Sequence, residues 1–260
     1  MELLVDLHTH TLSSGHAYST ITENAQAAAR KGIKLMGMTD HGPSMPGAPH
    51  LYHFGNLSIL PEEISGVKLL PGVEANITNY EGELDVPLYY LAKLKLVLVG
   101  LHEICYPGGN SEQNTQAYIN AMENPYTDMM VHPGRTYFEM DLERIAHASA
   151  LLNIPVEINN SSLSTITDKS GALENCRFIA HYMAKYKGPV ILGSDAHFWD
   201  RVGEFGEALE LVREAGISQH QILNTSPERV LDYLAMRRKN RPVIDLLSPK
   251  SKQSIAYKVV

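Results

Sequence analysis

Short apolar segments alternate with helical patterns along most of this chain, and that alternation restricts the fold more than any other feature. We predict strands at residues 3–7, 35–39, 67–76, 96–101, 128–131, 156–159 and 190–194. Helices are predicted at residues 22–31, 111–122, 141–152, 170–186 and 204–215, with two further helical stretches that end near Arg238. About seven successive βα units imply a mostly parallel sheet.

Residues that can bind metal ions follow nearly every predicted strand. The C-terminal ends of the strands form the active-site face of a βα barrel, whereas the opposite ends serve stability. This placement therefore favours a closed barrel over an open sheet. The residues concerned are His8, His10, His16, Asp40, His41, Glu74, His102, Glu103, His132, Asp195 and His197.

Two of these segments share one spacing. Residues i and i+2 of a strand point to the same face, so His8 and His10 can reach one ion, as can Asp195 and His197. Each pair alone is weak, because an isolated histidine is more often a surface or core residue than a ligand. Their coincidence at one end of successive strands is the specific observation. Seven histidines with Glu74 and Asp195 are too many ligands for one ion, so we expect two or three ions.

The other five histidines are not expected to bind metal. His50 and His53 lie in a segment rich in proline and glycine, which could fold over the barrel mouth as a lid or substrate wall. His147 and His181 fall inside helical patterns, and His220 is typical of a solvated helix start.

Composition limits the remaining possibilities. A chain of 260 residues fits one barrel domain, which we place at residues 1–239, with a C-terminal tail or arm at 240–260. The net charge of −7 disfavours proteins that coat nucleic acids. Two cysteines, the absence of a signal-peptide pattern and the absence of a long apolar run predict a cytoplasmic protein without a membrane segment.

Several strings in this order resemble a known superfamily. DLHTHT, TDHG, GVEAN, HPG, EINNSS and GSDAH closely resemble the PHP (polymerase and histidinol phosphatase) superfamily. Within it, TDHGPSMPGAPHLYHFGN and NTQAYI resemble the stand-alone, YcdX-like phosphatase branch. The resemblance covers about residues 1–235 and implies an α/β fold, a distorted (βα)7 barrel of the TIM-barrel type.

The resemblance also implies a trinuclear zinc site, with manganese or iron as other possible metals. By position, the first ion would be held by His8, His10, Glu74 and Asp195. Glu74 would bridge to a second ion bound by His102 and His132, and a third would be held by His16, His41 and His197. A homo-oligomer, with a trimer as one form, is also implied. Arg135 stands where the resemblance predicts asparagine after HPG, and phosphate binding by Arg135 is a hypothesis.

The resemblance, together with these residues, implies hydrolysis of a small phosphorylated substrate, a phosphomonoester. Clustered metals activate water and neutralise phosphate oxygens. We expect Glu74, Asp195 and Asp40 to serve catalysis, with Asp40 orienting a ligand histidine. Glu103 is expected to be an ordinary loop carboxylate rather than a partner of the ligands. Asn159 and Asn160 are candidates for contact with substrate.

Three alternatives stay open. An amidohydrolase-like reaction would share the HxH start, but no lysine closes a strand at the required end. A phosphodiesterase or 3′-end nuclease is disfavoured by the net negative charge of the chain. A non-catalytic metal-binding module is the third.

Overall fold

Seven parallel strands form the sheet of this computed structural model, which describes residues 1–163 and 171–242. A short antiparallel strand, β3, pairs with β4 outside the parallel order β1-β2-β4-β5-β6-β7-β8. The strands are β1 (Val5–Asp6), β2 (Leu35–Met38), β3 (Glu63–Ile64), β4 (Val67–Asn76), β5 (Leu96–Gly100), β6 (Met129–Met130), β7 (Val156–Asn159) and β8 (Val190–Gly193).

The first and last strands meet just beyond their ends. Thr9 and Ala196 form a parallel bridge, and the His10 amide donates to the Ala196 carbonyl at 2.9 Å. The sheet is therefore a nearly closed barrel, and the predicted (βα)7 class is confirmed.

Helices lie between the strands, and the sequence chemistry at their ends explains where they begin. Thr20 caps α1 in a capping box with Glu23, and Asp141 caps α5 by accepting from the Arg144 amide. The helices are α1 (Ile21–Arg30), α2 (Leu51–Asn56), α3 (Leu88–Leu91), α4 (Ser111–Glu123), α5 (Leu142–Leu152), α6 (Ala172–Tyr186), α7 (Gly206–Glu214) and α8 (Pro227–Lys239).

Alternation along the strands divides the core into two layers. On β5, Leu96 and Leu98 face the barrel interior, whereas Val97 and Val99 pack between sheet and helices. The inner cluster also contains Leu234 of α8, which closes the N-terminal end of the barrel. The lower half of the interior is thus apolar and filled.

Above this apolar layer, the inward positions become glycine or polar. A Cβ on Gly100 would lie 2.7 Å from the His132 ring, and one on Gly193 would lie 1.7 Å from Glu157 Oε1. Both glycines therefore leave room for polar side chains inside the barrel mouth, at the end where the metal-binding residues were predicted.

The first residues of the predicted tail lie against the barrel. Arg241 reaches the buried Asp128 carboxylate at 2.6 Å, and the Tyr126 hydroxyl donates to the Pro242 carbonyl at 3.1 Å. Residues 243–260, which hold the rest of the predicted tail, lie outside the described part of the chain. Within that part, none of the helices combines the length and the apolar character needed to span a membrane.

Candidate metal centre

Glu74 lies at the centre of the barrel mouth, fully buried among imidazoles. Its Oε1 is 2.6 Å from Nε2 of His132 and 3.1 Å from Nε2 of His102. Its Oε2 is 2.8 Å from Nδ1 of His41 and 3.4 Å from Nε2 of both His8 and His10. One carboxylate thus faces ring nitrogens delivered by four different strands.

Asp195 is the second carboxylate of the cluster. Its Oδ1 lies 3.5 Å from Nε2 of His8 and 3.2 Å from Nε2 of His10. Its Oδ2 accepts from Arg135 and lies 3.3 Å from Nδ2 of Asn159. The His197 ring nitrogen Nδ1 is 3.5 Å from Asp195 Oδ1. That these two residues reach one ion stays a prediction, because no ligand group among the described residues contains both.

The remaining predicted ligands stack at the outer rim. The His16 ring lies 4.9 Å, between centroids, from the rings of both His41 and His197, and His10 lies 4.3 Å from His197. His16 is exposed, whereas His10 and His41 are buried. The structure therefore brings all nine predicted ligand residues into one cluster.

Several ring and carboxylate atoms in this cluster lack a hydrogen-bond partner in the described chain although they are buried. They are Nε2 of His8, His10 and His102, Nδ1 of His41 and Oε2 of Glu74. Burying such groups without partners is costly, and paired charges or metal coordination offset that cost. The donor set, imidazole and carboxylate, is the one that zinc prefers. The residues present therefore fit bound metal ions.

Four overlapping groups of three residues have ligand atoms close enough to share an ion. Each group keeps its atoms within 4.8 Å of one another, and Glu74, His8, His10 and His41 each occur in two groups. The groups are His8–His10–Asp195, His8–Glu74–His132, His41–Glu74–His102 and His10–His41–His197.

Two residues of the cluster adopt a left-handed backbone. His132 has φ of 35° and Asp195 has φ of 52°, in a region that non-glycine residues seldom occupy. Such conformations cost about 1–3 kcal/mol each and concentrate at functional sites. Each lies two residues beyond the end of its strand, and its side chain joins the cluster at the barrel mouth.

Asp40 does not contact a ring of the cluster directly. Its carboxylate accepts from the Thr11 amide at 2.7 Å, the Thr11 hydroxyl at 2.8 Å and the Ser14 hydroxyl at 2.7 Å. Ser14 Oγ lies 3.1 Å from Nδ1 of His10. The predicted orienting role of Asp40 thus reaches a histidine only through Ser14.

Glu157 is a buried residue at this end of the barrel that the sequence reasoning missed. It lies beneath the cluster on β7, with Oε1 2.8 Å from Nδ1 of His8. On this strand Val156 and Ile158 face the outer core, so Glu157 and Asn159 point inward. A glutamate between two apolar residues of a predicted strand was the signal from which this buried, inward-facing carboxylate could have been predicted.

The comparisons with known proteins agree with this geometry. The sequence model of the PHP domain matches residues 6–246, almost the whole chain. The chain belongs to the PHP domain family. The resemblance predicted from the motifs is therefore confirmed.

Relatives of this PHP chain include proteins described as probable phosphatases. One from Thermoanaerobacter sp. (strain X514) is 47% identical over 240 residues, which cover 92% of this chain and 97% of that protein. One from Acetivibrio thermocellus is 43% identical over 241 residues, which cover 93% of this chain and 98% of that protein.

Solved structures share the fold at much lower identity. Histidinol phosphate phosphatase from Lactococcus lactis, complexed with zinc, L-histidinol and phosphate, matches with a TM-score of 0.53 and 16% identity. The match covers 82% of this chain and 94% of that one. A chain in the structure of archaeal ribonuclease P with mature tRNA matches with a TM-score of 0.54 and 12% identity, covering 92% and 94%. These two likenesses concern the barrel alone.

Burial disfavours the charged form of most imidazole rings in the cluster around Glu74. It lowers the pKa of His10 and His132 well below the ordinary value, and it lowers the pKa of His102 as well. Burial opposes ionisation of Glu74, yet the surrounding imidazoles, His41 foremost, hold its pKa well below the usual range. A neutral imidazole and an ionised carboxylate are the forms that bind cations, so the lowered pKa values of these three rings and of Glu74 favour metal binding.

His8 differs from these rings. Burial disfavours its charged form, but the carboxylates of Glu157, Asp195 and Glu74 together hold its pKa well above the ordinary value. His8 is thus the ring on which the negative charge of the site acts most strongly.

A cavity of about 660 Å³ opens above the cluster. His16, His41, His102, Asp195 and His197 reach it from the floor. Its walls carry the cations Arg135 and Arg201, the acids Glu103, Asp200 and Glu204, and the aromatic residues Tyr18, Tyr137 and Phe198.

The other residues singled out from the sequence lie as follows. Asn160 lines the cavity, but its Oδ1 already accepts from the Ala208 amide at 3.0 Å, and Asn159 contacts Asp195 and Glu157 instead. His50 caps α2, and His53 lies 3.7 Å from Asp40. Of the segment that was predicted to form a lid or substrate wall, Met45 lines the cavity. His147, His181 and His220 are exposed, and none of them belongs to a ligand group found among the described residues.

Proposed function

We propose that this chain hydrolyses phosphomonoesters of small molecules at a trinuclear metal centre, with zinc as the metal. The observation that carries the proposal is the convergence of buried, unpartnered imidazole nitrogens on the two oxygens of Glu74. The broader assignment, a phosphatase, agrees with the description as probable phosphatases of relatives that are 42–47% identical.

The ligands would be His8, His10, His16, His41, Glu74, His102, His132, Asp195 and His197. In the proposed partition, Glu74 would be a ligand of two ions, because its two oxygens face different sets of rings. His41 belongs to a group with Glu74 and His102 and to a group with His10 and His197, so it could serve either of two ions. Manganese or iron would suit the same donors.

Bound metal ions would supply an activated water and positive charge for the phosphate oxygens. Around them, the chain's own residues would orient the substrate. Arg135 extends into the cavity from the loop after β6, contacts Asp195 and has a buried Nε without a partner in the described chain. A guanidinium matches two phosphate oxygens at once, so we assign Arg135 to phosphate binding.

The cavity walls would hold the leaving group. Tyr18, Tyr137 and Phe198 are 69%, 46% and 41% exposed there, and the acids Glu103 and Asp200 line the same space. A cavity of about 660 Å³ suits a small molecule. L-Histidinol and phosphate occupy the Lactococcus lactis enzyme, so histidinol phosphate is one candidate substrate among sugar phosphates and nucleotides. Cytoplasmic location and a homo-oligomeric state stay predictions.

The test is release of phosphate by the metal-loaded protein from a panel that contains aryl phosphate, histidinol phosphate, sugar phosphates and nucleotides. Bis-aryl phosphate diester, single-stranded DNA and a cyclic amide serve as competing substrates. The proposal expects monoester hydrolysis to exceed all three by at least about tenfold in kcat/KM. Faster hydrolysis of the diester or the amide would assign the centre to another reaction. Absence of any hydrolysis by fully loaded protein would favour a binding module.

A further inference from the structure

Glu157 makes three hydrogen bonds at the base of the metal centre. Its Oε1 lies 2.8 Å from Nδ1 of His8. Its Oε2 accepts from the His132 amide at 3.0 Å and from Nδ2 of Asn159 at 3.0 Å. The residue is 2% exposed, so these contacts are shielded from bulk water. A single carboxylate therefore joins residues that follow β1 and β6 to its own strand, β7.

We propose that Glu157 is a positioning residue that fixes the tautomer of His8. An ionised carboxylate can only accept hydrogen bonds, so the proton of the neutral His8 ring must lie on Nδ1. The lone pair of Nε2 then points to the opposite side, where Glu74 Oε2 and Asp195 Oδ1 lie 3.4 and 3.5 Å away. This inference rests on the proposed metal centre and names a residue outside its ligand set.

Neighbouring residues hold the Glu157 carboxylate in a single position. Gly193 on β8 is in contact with it, and any Cβ there would lie 1.7 Å from Oε1. On the other side, Asn159 cannot turn its amide around without loss, because its Oδ1 accepts from both the amide and the hydroxyl of Ser162 at 2.8 Å. The side chain is therefore held between a glycine and a fixed donor.

These fixed donors make Glu157→Gln an informative change. Glutamine has one oxygen, and the two donors at Oε2, the His132 amide and Asn159 Nδ2, would hold it there. Its NH₂ group would then face Nδ1 of His8 as a donor. The His8 ring would have to accept at Nδ1 and carry its proton on Nε2, the atom that the centre needs as a ligand. The substitution therefore preserves shape while reversing the tautomer.

The experiment compares zinc-loaded wild type, Glu157→Gln and Asp128→Asn by imidazole ¹H–¹⁵N correlation spectra and by zinc affinity in competition with a chelator. Asp128→Asn is the matched control, because it neutralises a buried carboxylate just before the N-terminal end of β6, against α8 and Arg241. We expect wild type and Asp128→Asn to carry a proton on Nδ1 of His8. Glu157→Gln should lose that proton and bind zinc about 10–100-fold more weakly.

Three outcomes distinguish the possibilities. A wild-type spectrum with the His8 proton on Nε2 would overturn the role of Glu157 without use of any variant. So would a Glu157→Gln protein that keeps the Nδ1 proton and binds zinc as tightly as wild type, or one that is only as impaired as Asp128→Asn. Wild-type protein that binds no zinc would instead contradict the metal centre itself.

Discussion

Oε1 of Glu74 lies 2.6 Å from Nε2 of His132, although the two residues are 58 positions apart in the chain. They belong to β4 and to the loop after β6, and β5 lies between these two strands in the sheet. In an open sheet such residues would be separated by a whole strand. The contact exists because the barrel curves and turns both side chains towards its axis.

Glu74→Gln should therefore damage the centre more than Asp195→Asn. Glu74 faces five ring nitrogens through both oxygens, whereas Asp195 faces three through one oxygen. We expect a loss in kcat of about 10³-fold or more for Glu74→Gln and about 10²-fold for Asp195→Asn. Steady-state kinetics with bound metal measured on the same samples tests this order.

Circular dichroism of both variants provides the control, since both should keep the barrel. Wild-type turnover and metal content in Glu74→Gln would show that Glu74 is not shared between ions.

Much of the centre could be predicted because the relevant signals are local. The i, i+2 spacing of His8 and His10 and the position of Asp195 at a strand end depend only on strand geometry, and the structure places them together. Glu157 was missed because its role depends on what lies across the barrel, on β1 and β8. No spacing within EINNSS reveals that partner.

Short elements were missed for a different reason. The helix Leu51–Asn56 lies in a segment that we expected to be a loop, and its start depends on the His50 side chain, which accepts from the Tyr52 amide at 3.2 Å. The two-residue strand β3 exists only because β4 pairs with it. Neither is long enough to show a periodic pattern.

Asp40 offers a test of positioning against direct catalysis. Asparagine can still accept from the Thr11 amide and the Ser14 hydroxyl while its NH₂ donates to the Thr11 hydroxyl. Alanine removes the acceptor of all three hydrogen bonds. We expect Asp40→Asn to keep kcat within about tenfold and Asp40→Ala to lose about 2–4 kcal/mol of unfolding free energy. Denaturant titration and kinetics measure both. If Asp40→Asn folds but loses more than about 10²-fold in kcat, the negative charge of Asp40 takes part in catalysis.

Arg135 should affect substrate binding more than metal binding. Replacing it with glutamine removes the guanidinium from the cavity wall and leaves the ligand residues in place. We expect KM for phosphomonoesters to rise about tenfold or more, and inorganic phosphate to inhibit more weakly by a similar factor. Metal analysis of the same protein should give the wild-type content. An unchanged KM and phosphate inhibition constant would remove Arg135 from the phosphate site.

The pair of Asp128 and Arg241 predicts a pH-dependent stability. Burial raises the pKa of Asp128, and Arg241 counteracts that rise. Because the folded pKa exceeds the unfolded one, the stability that this group contributes is present at low pH and is lost as pH rises through the folded pKa. Arg241→Met should raise the pKa further and cost about 3 kcal/mol near pH 7, but much less near pH 4.

The double variant Asp128→Asn/Arg241→Met is the control, since it has no titrating group at this position. Its free energy of unfolding should lack the pH dependence that Asp128 contributes to wild type, and it should show no added loss at neutral pH. An Arg241→Met penalty that is equal at pH 4 and pH 7 would show that the pair does not act through the charge of Asp128.

The metal content of the purified protein tests the central claim most directly. Elemental analysis of wild type and Glu74→Gln after reloading with zinc, followed by phosphate release from an aryl phosphate before and after chelation, gives the answer. We predict about three zinc ions per chain in wild type, fewer in Glu74→Gln, and hydrolysis that chelation abolishes and zinc restores. Wild-type protein that holds no zinc, manganese or iron after reloading would contradict the proposed metal centre.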